Sequence, residues 1–225
     1  MPPKHGPEAT QFRDPQRTRL SPGVVEALSQ SGYVRDHRPG SILMLEGDTV
    51  TDVHLVLQGA VRVFRASPEG REQTLIYLHP GDALNLPGAF APDWRVPATA
   101  QAVGSVRTVV VPARVLHGAV RSRPVIAAEL LSLLAARVHY LSTLAYDLGL
   151  LSVRARMAKF LLTELASPGT TPMRWTHADI GSRIGSVRVV VSRTLSAMAA
   201  EGLIRLDRHR IEILDAAALE RIADS

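Results

Sequence analysis

THADIGSRIGSVRVVVSR, residues 176–193, places two short amphipathic segments on either side of Gly185. Ile180 and Ile184 are spaced i, i+4, so they share one face of a helix. Gly185 stands where the chain must turn sharply, and glycine tolerates the positive φ that other residues resist. Thr176 can cap the first segment, and Asp179 three residues later makes an imperfect capping box. The stretch predicts two short helices joined by a tight turn.

The second of these segments carries its polar residues on one side. At roughly 100° per residue, one arc contains Arg188, Val189, Ser192, Arg193 and Ser196. The residues expected to face the domain core instead are Val187, Val190, Val191, Thr194 and Met198. This layout is typical of a helix-turn-helix, whose first helix crosses the DNA backbone and whose second lies in the major groove. It indicates sequence-specific DNA binding.

The residues that follow predict a wing. Residues 201–205 (EGLIR) end the second helix at a glycine and begin a strand, and residues 211–213 (IEI) alternate as a second strand. Between them, Arg208, His209 and Arg210 form a basic turn, which would add phosphate contacts. An ordinary amphipathic helical hairpin with a solvated basic face is the alternative interpretation. The two strands favour a winged helix-turn-helix.

Composition limits the remaining classes of protein. The 225 residues exceed the usual size of a single domain, and a net charge of +5 with a pI near 10.2 favours an anionic partner. The sequence contains no cysteine, which excludes disulfides, thiolate metal sites, cysteine-held iron–sulfur clusters and thiol redox switches. No apolar run approaches the roughly 20 residues that span a bilayer, and no signal peptide opens the chain. A soluble cytoplasmic protein is expected.

Catalytic motifs give no support for an enzyme. The sequence has no Gly-x-Ser-x-Gly, Walker-type loop, zinc-ligand spacing or glycine-rich dinucleotide fingerprint. Asp82, Asn85 and Asp93 resemble a polar cluster, but such residues far more commonly cap loops. We therefore do not expect an enzyme.

The first half of the chain reads as a β-domain. Residues 1–19 are rich in proline and nearly devoid of apolar residues, which predicts a disordered tail, and residues 20–32 predict a short helix. Short alternating segments punctuated by glycine and proline then run to Pro112, with turns expected at Gln58-Gly59 and at residues 67–70. Strands are predicted over residues 53–57, 60–64, 73–78 and 106–111. The pattern indicates an antiparallel jelly roll over residues 20–114.

Residues 115–150 predict one long helix with a dimerisation seam. Apolar residues recur there at alternating spacings of four and three, as in a two-stranded coiled coil. The seam consists of Ala127, Leu131, Leu134, Val138, Leu141, Ala145 and Leu148. Packing of a single helix on its own sheet is the alternative, and the off-seam leucines 130, 133 and 144 favour both contacts together. A homodimer would set two recognition helices on a palindromic site.

These features occur in an order that resembles one known family, the transcription regulators typified by the cyclic-AMP receptor protein and the fumarate–nitrate reduction regulator. The resemblance runs from Tyr33 to the end of the chain. It implies an α+β architecture: a cyclic-nucleotide-binding-type β-roll, a dimerisation helix, and a winged helix-turn-helix over residues 151–225 that recruits RNA polymerase, usually as an activator. The motifs that carry it, besides the long helix and the hairpin, are Gly47-Asp48, Gln58-Gly59 followed by Val61 and Val63, and Pro80-Gly81-Asp82.

The effector segment departs from that family's nucleotide-binding members. Those members carry a Gly-Glu pair for the ribose and a later Arg that grips the cyclic phosphate, whereas residues 81–88 (GDALNLPG) and 97–100 (PATA) carry neither. A buried phosphate needs a cation or several backbone donors. Arg95 is two residues early, and Leu141-Ser142 keeps one of the two hydroxyls offered to the base. Cyclic AMP is therefore not the expected effector.

Other effectors are open at this point. A haem needs axial ligands such as histidine, and His54, His79 and His139 are candidates, but lone histidines are more often surface or hydrogen-bonded residues. No cofactor is predicted. A different small molecule, or control by the amount of protein without any ligand, is favoured.

The recognition helix also differs from the family's common Arg-Glu-x-x-x-Arg pattern. Arg188 and Arg193 are kept, but Val189 stands at the glutamate position, and valine contacts a thymine methyl rather than accepting from a cytosine amino group. The half-sites are expected to keep guanines and lose the demand for that cytosine. Ser192 contacts a base or a phosphate in this reading. The candidates for backbone contacts are Thr176, His177, Arg208 and His209.

Two hypotheses follow from the sequence. In the first, the long helix couples the β-roll to DNA binding, with Gly149 as a hinge before the DNA domain. In the second, the chain is a cytoplasmic small-molecule-binding or protein-interaction module, whose basic hairpin contacts protein instead of specific DNA. Salt-dependent DNA binding discriminates between them.

Overall fold

The computed structural model describes residues 19–91, 93–165, 175–207 and 210–224. The predicted tail lies outside these residues except for Arg19, and so do Arg208 and His209 of the predicted wing turn. The chain divides into two compact units. The first comprises the described residues up to Val61 with Tyr77–Pro97 and Gln101–Tyr140, and the second comprises Arg62–Ile76, Ala98–Ala100 and the described residues from Leu141 onward.

An antiparallel sheet forms the basis of the N-terminal domain. Its strands follow the order β1-β6-β3-β4, while β2 pairs with β6 and β5 pairs with β3. The register between β1 and β6 aligns Tyr33 with Val110 and His37 with Val106. The strands are β1 (Tyr33–His37), β2 (Ile42–Met44), β3 (Val53–Ala66), β4 (Glu72–Leu78), β5 (Ala83–Leu84) and β6 (Thr99–Val111).

The turn predicted at Gln58-Gly59 is wrong, because β3 runs through it without interruption. Gly59 has a φ of +81°, and a side chain there would collide with the backbone oxygen of Ser105 on the neighbouring strand. The glycine therefore permits a local distortion and a close backbone approach inside a long strand. The turn predicted at residues 67–70 is present, with Gly70 N donating to Ser67 O at 2.9 Å.

Helices α1 (Pro22–Ser29) and α2 (Ala113–Ser122) and the start of α3 (Pro124–Leu150) close the core of the first unit. Ser21 caps α1, and its amide and hydroxyl both donate to the Glu129 carboxylate at 2.7 Å. This pair of bonds ties α1 to α3. The core consists of Val24, Leu28, Val53, Leu55, Val109, Val111, Leu116, Ile126, Leu130 and Leu133, with other apolar residues around them.

The single helix predicted over residues 115–150 is instead two helices. Arg123 adopts an extended conformation between α2 and α3, with a φ of −135° and a ψ of 93°. The ring of Pro124 disfavours helical geometry in the residue before it, so the chain breaks there. The hinge predicted at Gly149 is also misplaced, because Gly149 lies within α3 and the chain turns after Leu150.

Helix α3 is more apolar than predicted from the sequence, in which no apolar run was expected to be long enough to span a bilayer. Its 27 residues include an 18-residue window with a mean hydropathy of 1.4, enough by length and composition to cross a membrane. Two of its charged side chains nevertheless find partners in the first unit: Glu129 accepts from Ser21, and Arg137 lies 3.6 Å from Asp82. The buried Ile126, Leu130 and Leu133 pack into the core of that unit. These contacts are those of a helix docked on its own domain.

The second unit holds a helical core with a two-stranded sheet. Helix α4 (Val153–Phe160) continues into a π-helical turn (Leu161–Leu165), and α5 (His177–Ile184), α6 (Arg188–Ala200), β7 (Ile204–Asp207), β8 (Arg210–Ile213) and α7 (Ala216–Ala223) follow. Trp175 stacks edge-on against Phe160, with 5.0 Å between the ring centroids. The central residues of this core are Met157, Phe160, Leu161, Ile180, Ile184, Val191, Leu195, Met198, Ile204 and Leu219.

Candidate nucleic-acid interface and effector segment

Helix α5 begins with a complete capping box. The Asp179 amide donates to the Thr176 hydroxyl at 3.1 Å, and the Thr176 amide donates to the Asp179 carboxylate at 2.9 Å. Both orphan donors at the helix start are thereby satisfied. The box expected to be imperfect is therefore fully formed, because the shorter aspartate still reaches the backbone of residue 176.

The turn between α5 and α6 depends on two glycines. Gly185 takes up the left-handed conformation with a φ of +68°, as the sequence predicted. The Ser186 amide donates back to Gly181 O at 2.8 Å, and a side chain at Gly181 would lie 2.7 Å from Ser186 O. A larger residue at Gly181 would push α6 away from α5, and one at Gly185 would strain the left-handed backbone and collide with Leu148.

Helix α6 presents the predicted readout arc to solvent. Arg188, Val189 and Arg193 are exposed and Ser192 is half-buried, while the opposite face fills the core with Val191, Leu195 and Met198. One core assignment is wrong. Val187 is 47% exposed because it is the residue that precedes the helix, and its side chain makes no capping hydrogen bond.

Two of the predicted backbone-contact residues lie at the start of α5. Thr176 is exposed at the start of α5, and His177 beside it is half-buried. The wing strands pair Ile204 with Ile213 and Asp207 with Arg210, and the exposed Arg205 bonds Glu212 at 2.8 Å across them. The wing strands are thus present. Arg208 and His209 lie outside the described residues.

The predicted seam on α3 divides into exposed and packed positions. Leu131, Val138 and Leu141 are 66%, 69% and 41% exposed, and Ala145 is exposed as well. Leu134 is half-buried against the core of the first unit. Leu148 lies instead beside the α5–α6 turn, since a side chain at Gly185 would meet it at 2.5 Å. Four of the seven seam positions therefore form an apolar surface that the described part of the chain leaves exposed.

The junction between α3 and α4 is held by two basic residues. One Arg156 nitrogen donates to the carbonyls of Asp147, Leu148 and Leu151 at 3.0–3.3 Å, so a basic side chain lies against the carbonyl groups at the end of α3. The Lys159 ammonium bonds the Asp147 carboxylate at 2.8 Å. These contacts, rather than a glycine hinge, define how the long helix enters the DNA-binding domain.

The polar side chains of the effector segment are hydrogen-bonded to neighbouring groups of the same unit. Asn85 adopts a left-handed φ of 62°, and its amide nitrogen donates to the carbonyls of Val50 and Asp52 at 2.8 and 3.1 Å. The Trp94 indole donates to the Asn85 oxygen at 2.8 Å, and Leu86 is buried in the core. The sequence offers Arg95 as a replacement for the missing phosphate-binding arginine. In the structure its guanidinium donates to Gly47 O at 3.2 Å.

Two buried histidines share one threonine in the β-roll. His37 Nε2 lies 3.0 Å from the Thr108 hydroxyl, and His54 Nδ1 lies 3.4 Å from the same oxygen. Burial, followed by the nearby His37, lowers the pKa of His54 to about 4, and burial also lowers the pKa of His37. Both rings are therefore neutral near pH 7. Within the described residues no three metal-ligating side chains come together.

Sequence reasoning missed three contact groups that the fold creates. These are the two histidines on Thr108, the Asp82–Arg137 pair, and contacts between the β3–β4 hairpin and α5. The partners of each group lie between 54 and 110 positions apart in the chain. Arg183 alone left a local signal, because it is a charged residue within a helical turn of the core positions Ile180 and Ile184.

Comparisons with known proteins agree with this geometry. The cyclic nucleotide-binding domain model matches residues 34–123, and the Crp-like helix-turn-helix domain model matches residues 155–222. The chain is 32% identical over 208 residues to the cyclic AMP receptor protein of Thermus thermophilus, covering 91% of this chain and 94% of that one. It is 29% identical to the CRP-like cAMP-activated global transcriptional regulator of Mycobacterium tuberculosis, with the same coverage of both chains.

A solved structure extends the similarity to three dimensions. A transcriptional regulator of the Crp/Fnr family from Eubacterium rectale superposes with a TM-score of 0.70 at 28% identity. The match covers 92% of this chain and 96% of that one. Both the β-roll and the helix-turn-helix have counterparts in this protein.

Proposed function

This chain belongs to the CRP/FNR family of DNA-binding transcription regulators, and from that premise we propose that it binds palindromic promoter sites as a homodimer and recruits RNA polymerase as an activator. The curated relatives are transcription regulators rather than enzymes. They are bacterial proteins, which supports a cytoplasmic location.

The observation that carries the DNA-binding role is the exposed arc of α6. Arg188 and Arg193 extend from a helix whose other face is locked into the core by Val191, Leu195 and Met198. Arginine recognises guanine through two hydrogen bonds in the major groove, so two such side chains on one rigid helix can read two positions. Thr176 and the wing strands flank the arc, where contacts to phosphates fix the register.

The exposed seam supports the homodimer. Leu131, Val138, Leu141 and Ala145 form an apolar strip on α3 that stays exposed among the residues that the structure describes. A second copy of α3 would bury this strip in a parallel coiled coil, and a two-fold axis along it repeats each contact. Two recognition helices related by that axis fit half-sites about one DNA turn apart.

The effector segment supports DNA binding without cyclic AMP, although two relatives are named for that nucleotide. The amide of Asn85 is already engaged by Val50, Asp52 and Trp94, and Leu86 contributes an apolar side chain to the core. Residues 97–100 (PATA) supply no cation for a cyclic phosphate. In this account neither haem nor an iron–sulfur cluster is used, and regulation comes from another small molecule or from protein abundance.

Titration of a labelled promoter duplex tests the proposal, with the salt concentration varied and cyclic AMP present or absent. We expect specific binding with a steep negative slope of log affinity against log salt, unchanged by cyclic AMP. A flat salt dependence and equal affinity for all sequences would instead support a ligand-binding or protein-interaction module. A strong requirement for cyclic AMP would leave the DNA-binding role standing and refute effector independence.

A further inference from the structure

The β3–β4 hairpin belongs to the same compact unit as the helix-turn-helix. Its described residues Arg62–Ile76 group with the chain from Leu141 onward. The hairpin is closed by an ion pair of 2.6 Å between Arg62 and Glu72, and the Arg62 guanidinium stacks over the Phe64 ring at 4.4 Å. Its two strands continue into the β-roll sheet. The hairpin is therefore formed by the ends of two β-roll strands and belongs to the unit that contains the helix-turn-helix.

A directed chain of hydrogen bonds links this hairpin to α5. Arg62 Nε donates to the Thr74 hydroxyl at 2.8 Å, Thr74 and Ser182 hydroxyls lie 3.1 Å apart, and Ser182 donates to Asp179 O at 2.9 Å. The Ser182 hydrogen is committed to Asp179, so the Thr74 hydroxyl must be the donor to Ser182. Thr74 is fully buried, which makes an unmade bond at this position costly.

Arg183 supplies a second link from the same helix. This side chain is only 9% exposed, and its two terminal nitrogens contact Glu164 at 3.3 Å and Leu75 O at 3.5 Å. In return, Gln73 donates its side-chain amide to Arg183 O at 3.3 Å. A buried guanidinium is tolerated only when it is paired and hydrogen-bonded. Leu75 lies in the hairpin, so the hairpin supplies one of the hydrogen bonds that stabilise the buried Arg183 guanidinium.

The hairpin also touches the turn between the two helices. A side chain at Gly185 would lie 3.0 Å from the Gln73 side-chain oxygen. The same turn faces Leu148 at the end of α3. The crossing point of α5 and α6 is therefore supported both by the long helix and by the hairpin.

We infer that Thr74 and Arg183 are positioning residues for DNA recognition, which dock the β3–β4 hairpin on α5 and hold the helix-turn-helix in its DNA-competent placement. The contacts involve α5 and the turn, and they leave Arg188, Val189 and Arg193 exposed for base contacts. Within the second unit, α5 therefore contacts the hairpin, and the α5–α6 turn contacts both the hairpin and the end of α3. The inference rests on the proposed DNA-binding function.

Four variants test it: Thr74→Val, Thr74→Ser, Ser182→Ala and the double variant Thr74→Val/Ser182→Ala. Binding to a selected palindrome and to non-specific duplex is measured for the full-length dimer, together with thermal unfolding. Thr74→Val and Ser182→Ala should each weaken specific binding about tenfold, because each breaks the same buried hydrogen-bond chain. The double variant should lose no more than either single variant. Thr74→Ser keeps the hydroxyl and should bind within about twofold of wild type.

The control is Thr51→Val, the same substitution at an exposed position of the first unit, which should leave binding unchanged. Non-specific binding should stay constant in every variant, because the arginines that contact DNA are retained. Wild-type or tighter specific binding by Thr74→Val, additive losses in the double variant, or equal losses on both duplexes would overturn the inference. Absence of specific binding by the wild-type protein would refute the proposed function instead.

Discussion

The Asp82 carboxylate lies 3.6 Å from the Arg137 guanidinium, and both side chains are withdrawn from solvent. Asp82 follows β4 in the β-roll and also accepts from the His79 amide at 2.8 Å, whereas Arg137 projects from the middle of α3. Burial raises the pKa of Asp82, while the His79 amide and the Arg137 charge oppose that rise. The pair fixes the long helix to the loop that starts the effector segment.

Arg137→Met should destabilise the protein mainly when Asp82 is ionised. Without the guanidinium the buried carboxylate keeps the His79 amide but loses its ion-pair partner, which costs about 3 kcal/mol near neutral pH. Below the folded-state pKa of Asp82 the group is neutral, so the loss should shrink as the pH falls through that pKa. Urea unfolding at a series of pH values from 7.5 downward measures the loss. Asp82→Asn/Arg137→Met is the control, and a loss for Arg137→Met that stays constant over the whole series would contradict the assignment.

His54 should make the β-roll less stable in mild acid. Its pKa is about 4 in the folded state and near 6.5 in the unfolded chain, so between these values the unfolded state binds more protons. Stability is therefore complete above about pH 6.5 and falls toward pH 4, by about 2 kcal/mol at pH 5. His54→Gln removes the titration and should abolish that part of the slope.

The measurement for His54 uses Trp175→Phe, which leaves Trp94 in the β-roll as the single tryptophan. Urea unfolding followed by Trp94 fluorescence then reports this domain. If the pH dependence is the same with histidine and glutamine at position 54, the neutral buried ring is not its source.

Arg188→Ala and Arg193→Ala should each weaken specific DNA binding by about 1–3 kcal/mol and relax selectivity at one position of each half-site. The reason is that each arginine is assigned to the edge of one guanine. Competition between single-base variants of the palindrome measures the effect. A uniform loss across all sequences would reassign that arginine to a phosphate.

Val189→Glu should add a preference for cytosine at one position of the half-site. The glutamate carboxylate accepts a hydrogen bond from the cytosine amino group, while valine contacts only apolar groups such as the thymine methyl. Selection from randomised duplexes with both proteins measures the change. Identical half-sites from both would show that position 189 does not face a base.

Val138→Glu should convert the proposed homodimer into monomers, because it places a charge in the exposed apolar strip of α3. Ser132→Glu is the matched control, since Ser132 is exposed on the same helix but lies off the seam. Sedimentation at micromolar concentration distinguishes the two states. A dimer that survives Val138→Glu and dissociates with Ser132→Glu would place the interface on another face.

The sequence predicted those features that depend on local chemistry. The α+β fold class and the CRP/FNR family are confirmed. The capping of α5 by Thr176, the left-handed Gly185 and the exposed arginines of α6 follow from helix periodicity and glycine conformation, which neighbouring residues alone determine.

The errors arise where the tertiary structure overrides local signals. Gly59 resembles a turn glycine in the sequence. In the structure it lies inside β3, where the absence of a side chain leaves room for the backbone oxygen of Ser105 on the neighbouring strand. The break before Pro124 follows from the proline, yet one helix was predicted through it because apolar residues recur before and after that position. The bonds of Thr74 and Arg183 join residues about a hundred positions apart, and no local pattern reports such pairs.

The most direct test of the central claim is selection of random duplex DNA by the purified full-length protein at physiological salt, without added ligand. The account predicts recovery of one palindrome with guanines in each half-site spaced about one DNA turn apart. Recovery of unrelated sequences, under conditions where the protein is folded and dimeric, would contradict specific DNA recognition by the unliganded protein.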